Sequence, residues 1–193
     1  KNKITGLDVA KAMSAIVKNA GFLAGGDDVL KAKAADGTVI AGVSGVWLSQ
    51  DLKKAWGDDM GAAKLPTYTV AGKQVQMASY AGYKMVGVNS FSPKAEWANK
   101  LAAYMTNEKS QTLRFEKRGQ GPSNKKAAES DAVKASPAIQ ALLAQSKYAS
   151  LQRVGQKYWD ATTAFGSELV SGSAITQKRL DQLVKQITAA VTD

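Results

Sequence analysis

Trp47 and Trp159 are the residues whose surroundings suggest chemistry. Trp47 follows Ser44-Gly45-Val46, just after a glycine-flanked apolar run. Trp159 lies beside Tyr158 in a segment otherwise rich in Gln, Thr and Lys. An indole face offered among hydroxyl and amide groups suits a sugar. The C–H face of the sugar packs on the ring while its hydroxyls take hydrogen bonds, which gives orientation as well as affinity. Trp56 and Trp97 fall instead at apolar helical positions, and for them the reading is core packing.

Other chemistries find little support. The chain has no Cys and no His, which removes thiolate catalysis, disulfides, the usual general base and the commonest metal ligands. Neither a metal nor a cofactor is implied. Gly119-Gln120-Gly121 could open a dinucleotide fingerprint, but it follows a helical segment and lacks an acidic ribose partner downstream. Ser123-Asn124-Lys125-Lys126 has the Ser-x-x-Lys spacing of penicillin-recognising enzymes without their companion motifs. Asp27-Asp28 and Asp58-Asp59 stand beside glycines, where aspartate caps helices and makes turns. The expectation is a protein that is not an enzyme.

Composition sets the outer bounds. The 193 residues are 45% hydrophobic and 22% charged, enough for a real core in one domain or parts of two. No stretch approaches the roughly 20 apolar residues of a membrane span. The sequence opens on Lys1, and the expectation is that upstream sequence has been removed. Lys and Arg total 26 against 16 Asp and Glu, a net charge of +10. That balance suits a polyanion-binding surface, but it equally suits a solvated face of helical lysines. No run interleaves Arg with aromatics as a nucleotide-stacking surface would, so nucleic acid is not an expected partner. The densest basic run, from Lys117-Arg118 to Lys125-Lys126, holds two glycines and a proline and reads as a polar loop.

The elements that would position these residues alternate between helix and strand. A first helix is expected with Thr5 or Asp8 as cap and Val9, Met13, Ile16, Val17 and Ala20 at helical spacing. Asn19-Ala20-Gly21 would close it. A second spans Asp27 to Ala35 and ends at Asp36-Gly37. Thr38 to Val43 reads as a buried strand, β-branched and bracketed by glycine, which turns through Gly42-Val43-Ser44-Gly45 into a helix carrying Trp47 near its start. A hairpin-like stretch surrounds Ala71-Gly72-Lys73, and another strand is expected from Tyr83 to Asn89. Pro93 would occupy the first turn of the next helix, with Trp97, Leu101 and Met105 on one face. Helices then follow at Glu108 to Lys117, Ile139 to Gln145, Gln156 to Val170, and Thr176 to the end. In the last, Leu180, Leu183, Val184, Ile187 and Val191 make an apolar stripe facing a core. More helix than strand is expected.

Taken in order, these segments resemble the extracellular (family 1) sugar-binding proteins of ABC importers, of the maltose and maltodextrin-binding type. Ser44-Gly45-Val46-Trp47 is similar to the family's small-Gly-x-Trp element, and Lys64-Leu65-Pro66 to its strand ending in Leu-Pro. Tyr83 through Asn89 with Ser92-Pro93-Lys94 resembles the lobe-crossing strand and its continuation. Leu101 to Gln111, with Tyr104-Met105-Thr106-Asn107-Glu108, is similar to the helix and turn that follow. Tyr158-Trp159 through Ser171-Gly172 matches the late helix, closed by glycine and followed by a terminal helix. The loop Tyr148 to Val154 departs from the pattern in lacking proline.

The resemblance implies an α/β fold of the periplasmic-binding-protein type (type II), two lobes joined by crossing strands. Mainly the C-terminal lobe and a crossing segment would be present here, since family members are roughly twice this length. Residues 1–82 and 133–193 would build that lobe, and 83–132 would cross to an absent N-terminal lobe. It also implies Trp47 and Trp159 as stacking platforms, Tyr83 as a further contact at the crossing strand, and Tyr158 and Arg153 as hydrogen-bond donors. The expected ligand is a maltodextrin-like oligosaccharide. Expected partners are the permease subunits of the transporter and the N-terminal half of the same protein. The expected location is extracellular or periplasmic, with a lipid anchor at the cell surface. A basic cell-surface polyanion-binding protein is the alternative reading.

Overall fold

A computed structural model describes residues 6–192. Its helices run in the order α1 (Leu7–Val17), α2 (Asp27–Ala35), α3 (Ser49–Trp56), α4 (Ala95–Thr106) and α5 (Glu108–Arg118). There follow α6 (Lys125–Ala128), α7 (Asp131–Lys134), α8 (Pro137–Ser146), α9 (Gln156–Val170) and α10 (Gln177–Thr192). The strands are short: β1 (Thr67–Val70), β2 (Lys73–Gln76), β3 (Ser79–Ala81) and β4 (Ala149–Leu151). The chain forms two units, passing from one to the other after Gly25, Leu65, Met77 and Ser150.

The first unit takes in the chain up to Gly25, Pro66–Met77 and the chain from Leu151 onward. Its core is a helix-on-helix layer in which Ala10 of α1, Phe165 and Leu169 of α9, and Leu180, Leu183 and Ile187 of α10 are buried together. The apolar stripe expected on α10 supplies half of that set, with Val184 packed at its edge. Leu180 and Leu183 are essentially inaccessible, and full burial of such a side chain contributes roughly 1.5–3 kcal/mol. Outside the core, Arg179 of α10 clasps Glu168 of α9: Nε donates to both carboxylate oxygens at 2.8 and 3.0 Å, and Nη2 donates to Oε1 as well. This hydrogen bonding lowers the Glu168 pKa and raises that of Arg179. The expected hairpin is present as β1 and β2, antiparallel with Val70 opposite Lys73. Ala71 and Gly72 both have positive φ, 47° and 76°, the mirror-image turn that matches the twist of the paired strands.

The second unit holds Gly26–Leu65 and Ala78–Ser150. Ala34 of α2 packs with Leu48 and Leu52, and Leu30, Trp56 and Met60 close around them. Trp56 is thus the packing residue its position implied. Asp36 brackets the end of α2, accepting from the Thr38 amide and from Lys33. Those hydrogen bonds, Thr38 first, pull its pKa down to about 2. Three later helices begin on side-chain caps: Asn107 accepts from the Ser110 amide, Asn124 from Ala127 and Ser136 from Ile139. Two buried amides stitch loops to this frame. Gln111 accepts from the amides of Ser123 and Asn124 and donates to the Thr106 carbonyl. Gln145 accepts from the Leu65 amide at 3.0 Å and donates to the Ser79 hydroxyl at 3.3 Å.

Several expectations fail here. Residues 38–43 form no strand; Ile40 is 92% exposed and Val43 is also open to solvent. Residues 83–89 likewise run without ladder partners, with Tyr83 and Met85 exposed. A strand exists only where neighbouring backbone pairs with it, and neither run has such a neighbour among the described residues. Trp97 is not core: it is 69% exposed, with the Lys100 ammonium 4.7 Å from its ring centre. Pro93 precedes α4 rather than entering its first turn. Gly6 stands at the N-cap of α1 and Asp8 inside its first turn, while Thr5 lies outside the described residues. The basic loop is shorter than expected, because α5 continues to Arg118 and α6 starts at Lys125.

Burial predicts how two substitutions will differ. Leu183→Ala is expected to cost 2–5 kcal/mol of stability, whereas Trp97→Ala should change it by no more than about 0.5 kcal/mol, as exposed positions do. Denaturant melts of the two variants, at concentrations low enough to keep the chain monomeric, check this; comparable losses would mean that Trp97 packs within the chain itself.

Candidate functional site

Trp47 is placed by the residues on either side of it. Gly42 lets the chain pass close over α2, since the Leu30 side chain occupies the space that a methyl at that position would need. Val46–Leu48 then form one 3-10 turn leading into α3. Leu48 goes into the core, 5% exposed, while Trp47 stays 62% exposed. The indole folds back over Gly45, so closely that a methyl built there would lie 2.0–2.4 Å from three atoms of its six-membered ring. At its other edge, Trp47 Nε1 donates to Asp27 Oδ2 at 2.6 Å, and Ser44 Oγ donates to Asp27 Oδ1 at 2.7 Å. One ring edge is therefore held by a carboxylate while much of the side chain remains open. That arrangement can stack on a C–H face while the carboxylate stays committed to the indole N–H and the Ser44 hydroxyl.

In the first unit, Trp159 of α9 is 39% exposed and meets Tyr158 edge to face, ring centres 5.1 Å apart at 81°. Tyr158 packs against the α1–α9–α10 core, so it steadies its neighbour besides carrying a hydroxyl. Arg153 is exposed in the coil between β4 and α9, and Tyr83 in the unpaired segment after β3. The structure thus brings Tyr158 to Trp159. Trp47 gathers Asp27 and Ser44 in the other unit, and Tyr83 and Arg153 each lie on exposed chain.

The weaker motifs have structural explanations. Gly119 is the left-handed residue that ends α5, at φ 65°, where the Ser49 hydroxyl leaves no room for a side chain. Ser123 to Lys126 leads into α6, with Asn124 as its cap and the Ser123 amide held by Gln111. Asp58 pairs with Lys53, whose hydrogen bond lowers its pKa. No cluster of acidic residues suited to a metal occurs among the described residues. Asp27 itself was legible only as a helix-start residue. Its bond to Trp47 spans 20 positions and has no local sequence signal.

Comparison with known proteins defines the class. The family profile described as bacterial extracellular solute-binding protein matches residues 2–141, and the chain belongs to that family. Its fold is α/β of the type II periplasmic sugar-binding kind. Among individual relatives, the galactooligosaccharide-binding protein of Bacillus subtilis (strain 168) is 30% identical over 161 residues, 81% of this chain and 37% of that protein. A structure solved with acarbose aligns at TM-score 0.81 and 31% identity, covering 97% of this chain and 51% of its own. The maltodextrin-binding protein MalE1 from L. casei BL23, solved without ligand, shares the fold at TM-score 0.76 and 22% identity. There, 99% of this chain is matched to 53% of the other. The chain therefore spans about half the length of these solved relatives. The relatives named for an activity are binding proteins.

The Gly45 contact yields a direct test. In Gly45→Ala the obstacle is the far end of a side chain rather than backbone, so the ring should swing aside at little cost in stability. We expect an unchanged melting point together with a displaced Trp47 indole N–H resonance in 15N-tryptophan spectra. An unmoved resonance would show that the indole does not lie over Gly45 in solution.

Proposed function

We propose that this chain supplies part of the cleft of a solute-binding protein that captures an oligosaccharide and delivers it to an ABC importer. The observation that carries this is Trp47, held at its N–H edge and open to solvent, in a chain 31% identical to a protein solved with acarbose. Trp47 and Trp159 are the stacking platforms, with Tyr83, Tyr158 and Arg153 as secondary contacts. The ligand class is a maltodextrin-like oligosaccharide, with galactooligosaccharide the competing specificity suggested by the Bacillus subtilis relative. Residues 83–132 belong with an N-terminal half that completes the cleft. The partners are that half and the permease subunits, and the whole protein sits outside the cell on a lipid anchor. It binds and releases its ligand unchanged.

The test is made in the complete protein. Removing a central aromatic commonly costs 2 kcal/mol or more, about 30-fold in affinity. Trp47→Ala and Trp159→Ala should each bring maltooligosaccharide binding near or below calorimetric detection while leaving the melting point in place. If Trp159→Ala melts early and its folded fraction binds normally, Trp159 is a packing residue. Titration with galactooligosaccharides alongside decides between the two sugars.

A second expectation concerns the 193-residue chain by itself. Trp97, Leu101 and Tyr104 are exposed along one side of α4, an apolar strip of the kind that partners cover. Light scattering should detect self-association. A monomer at all concentrations would argue that residues 83–132 face no other lobe.

The net charge of +10 supports the polyanion reading. Binding to teichoic acid that weakens steeply with salt, with no response to sugars, would favour it.

A further inference from the structure

We infer that Asp27 is the positioning residue for Trp47, fixing the indole in the orientation that receives a sugar ring. The inference rests on the proposed role of Trp47 and extends it to a residue that would touch no ligand. Its carboxylate is bound from two sides: Ser44 Oγ donates to Oδ1 at 2.7 Å and Trp47 Nε1 donates to Oδ2 at 2.6 Å. Both donors come from the loop that carries the platform, and the acceptor comes from another element, the first turn of α2. The positive end of that helix favours an anionic side chain at this position. The carboxylate is therefore an anchor point on a helix whose Ala34 and Leu30 pack into the core of the unit.

A solvent-exposed indole held only by its backbone would sample several side-chain rotamers. Stacking would then have to restrict it, and immobilising a side chain on binding subtracts from affinity. Two restraints remove that cost beforehand. Gly45 leaves the space into which the ring folds, and Asp27 takes the N–H that points away from it. The hydrogen bond is charge-assisted, the stronger kind, which lets it persist beside water. Neighbouring Asp28 shares the sequence context, but neither Ser44 nor Trp47 is bonded to it.

The experiment uses the complete protein labelled with 15N-tryptophan, the Trp47 signal being assigned with Trp47→Phe. Asp27→Ala should move the Trp47 indole N–H resonance and weaken maltooligosaccharide binding about tenfold, the scale of one net hydrogen bond, with the melting point little changed. Asp27→Asn keeps an oxygen that can accept from the indole and should recover most of the affinity. An unmoved resonance and unchanged affinity in Asp27→Ala, alongside a large loss in Trp47→Ala, would overturn the positioning role alone. Unchanged binding in Trp47→Ala would instead remove the stacking reading on which the inference stands.

Discussion

The burial of one apolar side per helix is the constraint on which the structure depends. The strands are three or four residues long, too short for a sheet to organise either unit. In the first unit the order comes from Leu180, Leu183 and Ile187 meeting Ala10, Phe165 and Leu169. In the second it comes from Leu48 and Leu52 against Ala34. The same constraint places the candidate platform. Side chains in a 3-10 turn leave the axis about a third of a revolution apart. Once Leu48 is committed to the core, its neighbour Trp47 must therefore point elsewhere. The site is a by-product of packing as much as a feature added to it.

Helices were the legible part of the sequence. The pattern of α10 and the bounds of α2 and α9 follow from apolar spacing and from glycine or polar residues at their ends, information carried within a few residues. The hairpin was equally local, because Ala71-Gly72 sets its turn. The two expected strands were not local statements. Thr38-Val39-Ile40 has strand propensity, but propensity supplies no ladder partner, and the run bends after α2, with the Thr38 and Val39 amides bonded back to the Lys33 carbonyl and Ile40 exposed. Trp97 failed for the same reason. Helical spacing with Leu101 and Met105 identifies an apolar side without saying what covers it.

The site divides along that line too. Trp47 and Trp159 could be singled out because their immediate neighbours are small or polar, and both do keep substantial exposure. The packing of Tyr158 against the helical core and the grip of Asp27 on the indole were beyond reach, since each depends on a contact made through the fold. The resemblance to sugar-binding proteins drew on segment order, a long-range property, and it succeeded at the level of family and fold where single motifs had little power.

Gln145 has a further consequence. Its amide accepts from Leu65, the last residue before the chain leaves the second unit, and donates to Ser79, just after the chain returns. One side chain thereby holds both feet of the excursion that carries the β1–β2 hairpin. For the second unit, residues 66–77 are an insertion whose ends are pinned where they depart. The cost of bringing such ends together grows only slowly with the length between them. Hairpins of different length could therefore be exchanged over evolutionary time without rewriting the frame that Gln145 belongs to.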